Sequence, residues 1–262
     1  MKIIRKRILA FLLFYFFLSP HPVMAITAKA AIVIDAQSNK IYFQKNIHLR
    51  LPAASTIKVF SSVLMFEKLG FDSMVTISRR AAGIAPSKAC LTQGAEYRAE
   101  DLLRAFLMSS ANDAGVALAE AVSGTEFAFA GEMNKAAPGL GAKNSRFLNA
   151  TGLPEKGRKQ YSSVYDLALF MKKIIQKKPL LNIMETKYAQ IAGNDGKAIC
   201  LKNHNKFLWK ERNTLVGKTG YTLAARHCFL GVFTKNKKKL IVAILGSKKP
   251  WQDLAELINQ KY

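Results

Sequence analysis

The order in which two apolar periodicities occur along the chain constrains its fold more than any other feature. Ala30-Ala31-Ile32-Val33-Ile34-Asp35 and Lys40-Ile41-Tyr42-Phe43 read as two short strands, with the turn-forming Ala36-Gln37-Ser38-Asn39 between them. Ser55 to Leu69 then repeats apolar side chains at helical spacing (Ile57, Val59, Phe60, Val63, Leu64) and closes on Gly70. From about residue 71 to 180 the pattern is mainly helical, with segments near 100–109, 113–123, 125–137 and 163–176. Strand-like runs return after about residue 183, as Cys228 to Phe233 and Leu240 to Leu245, and a last helix runs from Trp251 to Ile258. Strands, helices, strands, helix predict an α+β fold. An antiparallel sheet is built from both ends of the chain and flanked by helices, with a helical lobe inserted between. Lys235-Asn236-Lys237-Lys238-Lys239 falls where a solvated hairpin turn is needed.

At 262 residues, half of them hydrophobic, the chain can bury one ordinary core. A disordered tail and a disulfide mini-scaffold are both excluded, the latter by a cysteine count of 3. Lys and Arg number 40 against 17 Asp and Glu, a net charge of +23, which points to a polyanionic surrounding. Location narrows the choice. Residues 1–25 read as a secretory signal peptide: Lys2, Arg5, Lys6 and Arg7, an apolar run from Ile8 to Leu18, Pro20 and Pro22, then Val23-Met24-Ala25 for cleavage. The competing reading is a retained anchor, but the apolar run is short against the ~20 residues a span requires. Export takes away four positive charges and no negative ones, and it disfavours nucleic acid as a partner. It leaves residues 26–262 as one domain in the periplasm or cell wall, with an electrostatic association to an anionic envelope. Cys90, Cys200 and Cys228 allow at most one internal disulfide and read as free thiols.

Three short motifs carry chemistry. In Ser55-Thr56-Ile57-Lys58 the serine stands at the start of an apolar helix, and Lys58 returns to its face one turn later. A lysine in an apolar wall loses its proton near neutral pH and can take the serine's. In Ser110-Ala111-Asn112, between two helices, a hydroxyl can pass protons and an amide can hold a substrate carbonyl; helix capping is the plainer use. Gly217-Lys218-Thr219-Gly220-Tyr221-Thr222 lies at a strand edge, where glycines admit a substrate backbone and Lys218 and Thr219 suit a carboxylate. It lacks the spacing of a phosphate loop.

SxxK, SxN and KTG in this order resemble the serine D-Ala-D-Ala carboxypeptidases, the low-molecular-mass penicillin-binding proteins. The resemblance extends through Leu51-Pro52-Ala53-Ala54, Phe147-Leu148-Asn149-Ala150-Thr151-Gly152-Leu153, Tyr161-Ser162-Ser163, Asp166-Leu167-Ala168 and Asn203-His204-Asn205. It implies the β-lactamase/penicillin-binding transpeptidase-like fold and hydrolysis of peptidoglycan stem peptides through an acyl-enzyme on Ser55. Lys58 is then the base, Ser110 and Asn112 the relay and substrate-holding pair, and Lys218 and Thr219 the carboxylate site. Gly220 keeps the strand edge open, and the N–H groups of Ser55 and Tyr221 form the oxyanion hole. The same resemblance implies β-lactams as covalent inhibitors and no metal or organic cofactor.

Several features depart from the pattern. Ser145 stands where a β-lactamase carries the glutamate that activates its deacylating water, which favours slow deacylation. Ala111 replaces the usual glycine, and Pro250, flanked by Lys248 and Lys249, aligns with an arginine that helps bind carboxylate; Arg226 is a substitute candidate, with a surface role the plainer reading. With no C-terminal β domain expected, the chain also resembles members that act as DD-endopeptidases on cross-links. His21, His48, His204 and His227 show no spacing that suggests a triad or a metal site.

Overall fold

A computed structural model describes residues 26–209, 215–260 and 262; the signal peptide expected over residues 1–25 lies outside the described residues. β1 (Ala30–Asp35) and β2 (Ile41–Lys45) form the first hairpin, with Val33 opposite Phe43. Asp35 shapes its turn by accepting the N–H groups of Gln37 and Ser38, both at 2.8 Å. These bonds hold its carboxyl below the usual carboxylate range.

A 3₁₀ turn, Ala54–Ile57, then runs into α1 (Lys58–Leu69). The inserted lobe contains β3 (Met74–Thr76), α2 (Arg79–Gly83), β4 (Glu96–Arg98), α3 (Ala99–Met108), α4 (Asn112–Ser123) and α5 (Glu126–Ala136). After it come α6 (Val164–Gln176), α7 (Lys178–Glu185), β5 (Tyr188–Ala192) and β6 (Ala198–Lys202). The chain completes its sheet with β7 (Val216–Thr222), β8 (Arg226–Lys235) and β9 (Lys238–Ser247), then packs α8 (Pro250–Asn259) against it.

The main sheet is antiparallel in the order β2-β1-β9-β8-β7, so strands from both ends of the chain meet at its centre. Its central strands are buried on both faces, which explains why they read as continuous apolar runs. Ile32, Ile34, Ile241 and Ala243 pack toward α1 and α6, while Val33, Leu240, Val242 and Ile244 face Leu254 and Leu257 of α8. On the first face Phe60 stacks on Phe170 at 4.2 Å and tilts against Phe147 at 5.5 Å. The lysine-rich segment is a tight hairpin turn, with Asn236 and Lys237 at positive φ as such turns require.

The α+β architecture is as expected, with local differences. The α-helix begins at Lys58, not Ser55, because the chain enters through a 3₁₀ turn in which Thr56 bonds back to the Ala53 carbonyl through both N–H and hydroxyl. The mainly helical stretch also contains the β3–β4 hairpin and the short α2, and α7 and the β5–β6 hairpin follow it. Strands of three residues are too short to carry a visible period.

Candidate active site

The 3₁₀ turn before α1, the α3–α4 junction and the exposed edge of β7 enclose a cleft of about 240 Å³. Ser55, Ser110, Asn112, Thr219, Gly220 and Tyr221 line it, so the structure brings three sequence-distant motifs to one place. Lys58 and Lys218 stand just behind the surface, at 0% and 1% exposure.

Burial disfavours the charged form of both amines. Desolvation, then the charge of Lys218, holds Lys58 well below the ordinary lysine value; Glu126 and Asp113 oppose this in part. Burial lowers Lys218 to about 7. Lys58 Nζ donates to Asn112 Oδ1 at 2.5 Å and lies 4.5 Å from the centre of the Phe106 ring. Lys218 Nζ donates to the carbonyl of Thr219 at 3.1 Å.

Asn112 opens α4, and its side chain is held from both ends: Oδ1 accepts from Lys58, and Nδ2 donates to the Pro86 carbonyl at 2.6 Å. Its N–H donates to the Ser87 carbonyl, while Asp113 accepts from the N–H groups of Ala89 and Leu91. The loop that carries Pro86 and Ser87 is thereby latched to α4 and forms one wall of the cleft. Ser110 has φ of 61°, a left-handed turn that lets α3 end and α4 begin within a few residues.

Two glycines press against the turn that carries Ser55. A Cβ on Gly220 would sit 3.0 Å from the Ser55 nitrogen. One on Gly152 would sit 2.1 Å from the Ala54 oxygen, at φ +85°. Asn149 fixes this second approach: its Oδ1 accepts the Gly152 N–H at 2.8 Å and its Nδ2 donates to the Leu153 carbonyl. Buried Glu126 accepts the Ala150 N–H at 3.1 Å and pairs with Arg80 at 3.3 Å, while Ser61 Oγ donates to the Ala150 carbonyl. Sequence reasoning missed Glu126. Nothing in a lone glutamate signals that it will meet residues 150–151 across the fold.

The remaining sequence candidates fall as follows. Ser145 bonds Ser162 Oγ and Asp166 Oδ2, both at 2.8 Å, and the described cleft lining contains no carboxylate. Arg226 is exposed at the start of β8 and is not part of the lining, whereas Pro250 and Trp251 are. Cys228 is a buried wall residue whose thiol is pushed up to about 12 by desolvation; Cys90 and Cys200 are exposed, and all three are free thiols. Distance in sequence hid that His204 and His227 both reach the cleft. Desolvation and the Lys218 charge lower the His204 pKa, and His227 packs on Tyr221 at 4.7 Å. Asn203 and Asn205 brace the approach to β7, the latter through the Leu215 carbonyl. His48 packs on Tyr165, and His21 lies outside the described residues. Among the described residues no three His, Cys, Asp or Glu side chains converge as metal ligands would.

The model of the D-alanyl-D-alanine carboxypeptidase family matches residues 18–249. D-alanyl-D-alanine carboxypeptidase DacF of Bacillus subtilis is 32% identical over 239 residues, 89% of this chain and 61% of the relative. DacC of Escherichia coli is 30% identical over 236 residues, covering 86% of this chain and 58% of its own length. The chain thus spans about three fifths of these two relatives. The crystal structure of a D-alanyl-D-alanine carboxypeptidase from Mycobacterium tuberculosis superimposes with a TM-score of 0.85 at 25% identity, over 92% of this chain and 93% of that one.

Proposed function

The chain belongs to the D-alanyl-D-alanine carboxypeptidase family, and from that premise we propose that it removes the terminal D-alanine of peptidoglycan stem peptides through an acyl-enzyme on Ser55. The observation that carries this reading is Lys58: a fully buried amine, one helical turn from the serine, held against Asn112 and shifted toward its neutral form.

Neutral Lys58 takes the proton of Ser55 Oγ, and the oxygen attacks the carbonyl carbon of the penultimate D-alanine. The N–H groups of Ser55 and Tyr221 stabilise the oxyanion, each donor worth about 3 kcal/mol. Collapse breaks the peptide bond, the proton passes through Ser110 to the departing amine, and D-alanine leaves. Water then attacks the ester, releases the shortened peptide and restores Ser55. Asn112 holds both Lys58 and the substrate amide, while Lys218 and Thr219 bind the terminal carboxylate and Gly220 keeps the edge of β7 accessible. A β-lactam acylates the same oxygen. With Ser145 tied to Ser162 and Asp166, no carboxylate lines the described cleft to drive fast hydrolysis of that adduct.

Mass spectrometry after benzylpenicillin treatment tests the mechanism: one covalent adduct is expected on Ser55, absent from Ser55→Ala. No adduct on folded wild-type protein, or rapid nitrocefin turnover in place of a stoichiometric burst, would overturn it. Digestion of purified muropeptides fixes the preference, since monomers should lose their terminal D-alanine. Conversion of dimers to monomers would make the protein a DD-endopeptidase.

The location proposed is outside the cytoplasmic membrane; no helix among the described residues is long and apolar enough to cross one. The large positive charge suits retention on an anionic envelope. Binding to isolated sacculi should fall steeply between low salt and about 0.5 M, where screening shortens to a few ångströms. Salt-insensitive binding would defeat that role for the charge.

A further inference from the structure

We propose that a second, cationic cavity beside the nucleophile turn is a subsite for a free carboxylate carried two or three residues upstream of the bond cleaved at Ser55, an inference that rests on the function proposed above. The cavity encloses about 470 Å³, and its lining includes Arg50, Arg158, Lys159, Tyr161, Thr222 and Ala224. It backs onto Ala53 and Ala54, and it shares Gly152 and Thr222 with the catalytic cleft.

Its charge is unbalanced. Three cations and one carboxylate, Glu155, line it; Glu155 Oε1 is turned to Asn149 Nδ2 at 3.4 Å, and the Arg158 guanidinium lies 5.9 Å from the Phe127 ring centre. Among the described residues Arg50, Arg158 and Lys159 have no ion-pair partner. Arg50 is held in place, with Nε on Asn144 Oδ1 at 3.2 Å and the guanidinium 5.3 Å from the Tyr161 ring centre.

Strand polarity says which part of a substrate reaches the cavity. Along β7 the carboxylate site, Lys218 and Thr219, comes first; the oxyanion donor Tyr221 comes next, then Thr222. A peptide docked antiparallel to β7 with its C-terminus at Thr219 therefore runs its upstream residues past Thr222. At about 3.3 Å per residue, Thr222 lies roughly 10 Å beyond Thr219. Side chains two or three residues before the scissile bond arrive at the mouth of the cavity.

Two acetylated peptides ending in D-Ala-D-Ala, one with glutamate and one with glutamine two residues upstream of that pair, separate charge from shape. Their affinities are measured on Ser55→Ala, which binds without turnover. The glutamate peptide should bind about tenfold more tightly, and adding Arg158→Gln and Lys159→Gln should erase the difference. Equal affinities on Ser55→Ala, or an advantage that survives both substitutions, would overturn the subsite. Arg158→Gln/Lys159→Gln with Ser55 intact should acylate with benzylpenicillin at the wild-type rate, which verifies its fold. Failure of wild-type acylation would defeat the proposed function, while the binding comparison would still decide the cavity.

Discussion

Lys58→Met should lower the rate constant for Ser55 acylation by benzylpenicillin about 10³-fold or more without unfolding the protein. The kinetic loss follows from removal of the base proposed for the serine proton, a contribution typically worth about 10²–10⁴. The stability argument runs the other way. Lys58 is fully buried, and its native pKa lies well below 10.5. Between these two values the unfolded lysine carries a proton that the native amine lacks, so the unfolded chain binds more protons and native stability rises with pH. The cost of burying this lysine therefore fades as pH rises toward 10.5. Methionine has a similar length and no charge to desolvate. Against it counts Asn112 Oδ1, which loses its donor, a penalty of about 1–3 kcal/mol. Thermal melts of both proteins at pH 7 and pH 10 should show the variant most favoured, relative to wild type, at the lower pH. An acylation rate within tenfold of wild type would remove Lys58 from the mechanism.

Gly152→Ala should be among the most damaging single-methyl additions the site can receive. The added Cβ would fall 2.1 Å from Ala54 O and 2.5 Å from Ala54 C, so the obstacle is backbone and cannot rotate away. The backbone it strikes carries Ser55. Strain at φ +85° adds to the overlap, and together they should cost about 3–5 kcal/mol, a fall in Tm of roughly 10 °C for a chain of this size. Acylation should fall at least about 10²-fold in whatever fraction still folds. Gly157→Ala is the matched control: it has φ of +71°, but nothing lies within 4 Å of its Cβ, so only the conformational cost of about 1–2 kcal/mol applies. Were the two variants to melt together, the close approach of Gly152 to the nucleophile turn would not matter.

Much of this molecule was legible in its sequence, for definable reasons. Periods of two and 3.6 residues exposed the central strands and the longer helices because those elements bury whole faces. The motif residues were legible because their chemistry is dense within a few positions: serine with lysine one turn on, and glycines flanking Lys218 and Thr219. What escaped was made by partners far apart in the chain. Glu126 reads as an ordinary helix-start acid until residues 150 and 151 arrive to bond it. His204 reaches the cleft through a loop and His227 through β8, with no pattern linking the two. Arg226, expected either to replace a carboxylate-binding arginine or to sit on the surface, is exposed, and Pro250 with Trp251 occupies the cleft wall.

The seating of β9 between β1 and β8 also has a consequence in time. A ribosome makes β1 and the Ser55 turn well before β9, so β1 must wait for that later strand before its second edge is paired. The strand that presents Lys218 and Thr219 is fastened to the rest of the sheet only through β8, which itself leans on β9. An unfinished chain can therefore own its serine and its lysine and still have no cleft to place them in. Until β9 is made, the sheet that seats β7 beside the Ser55 turn is incomplete.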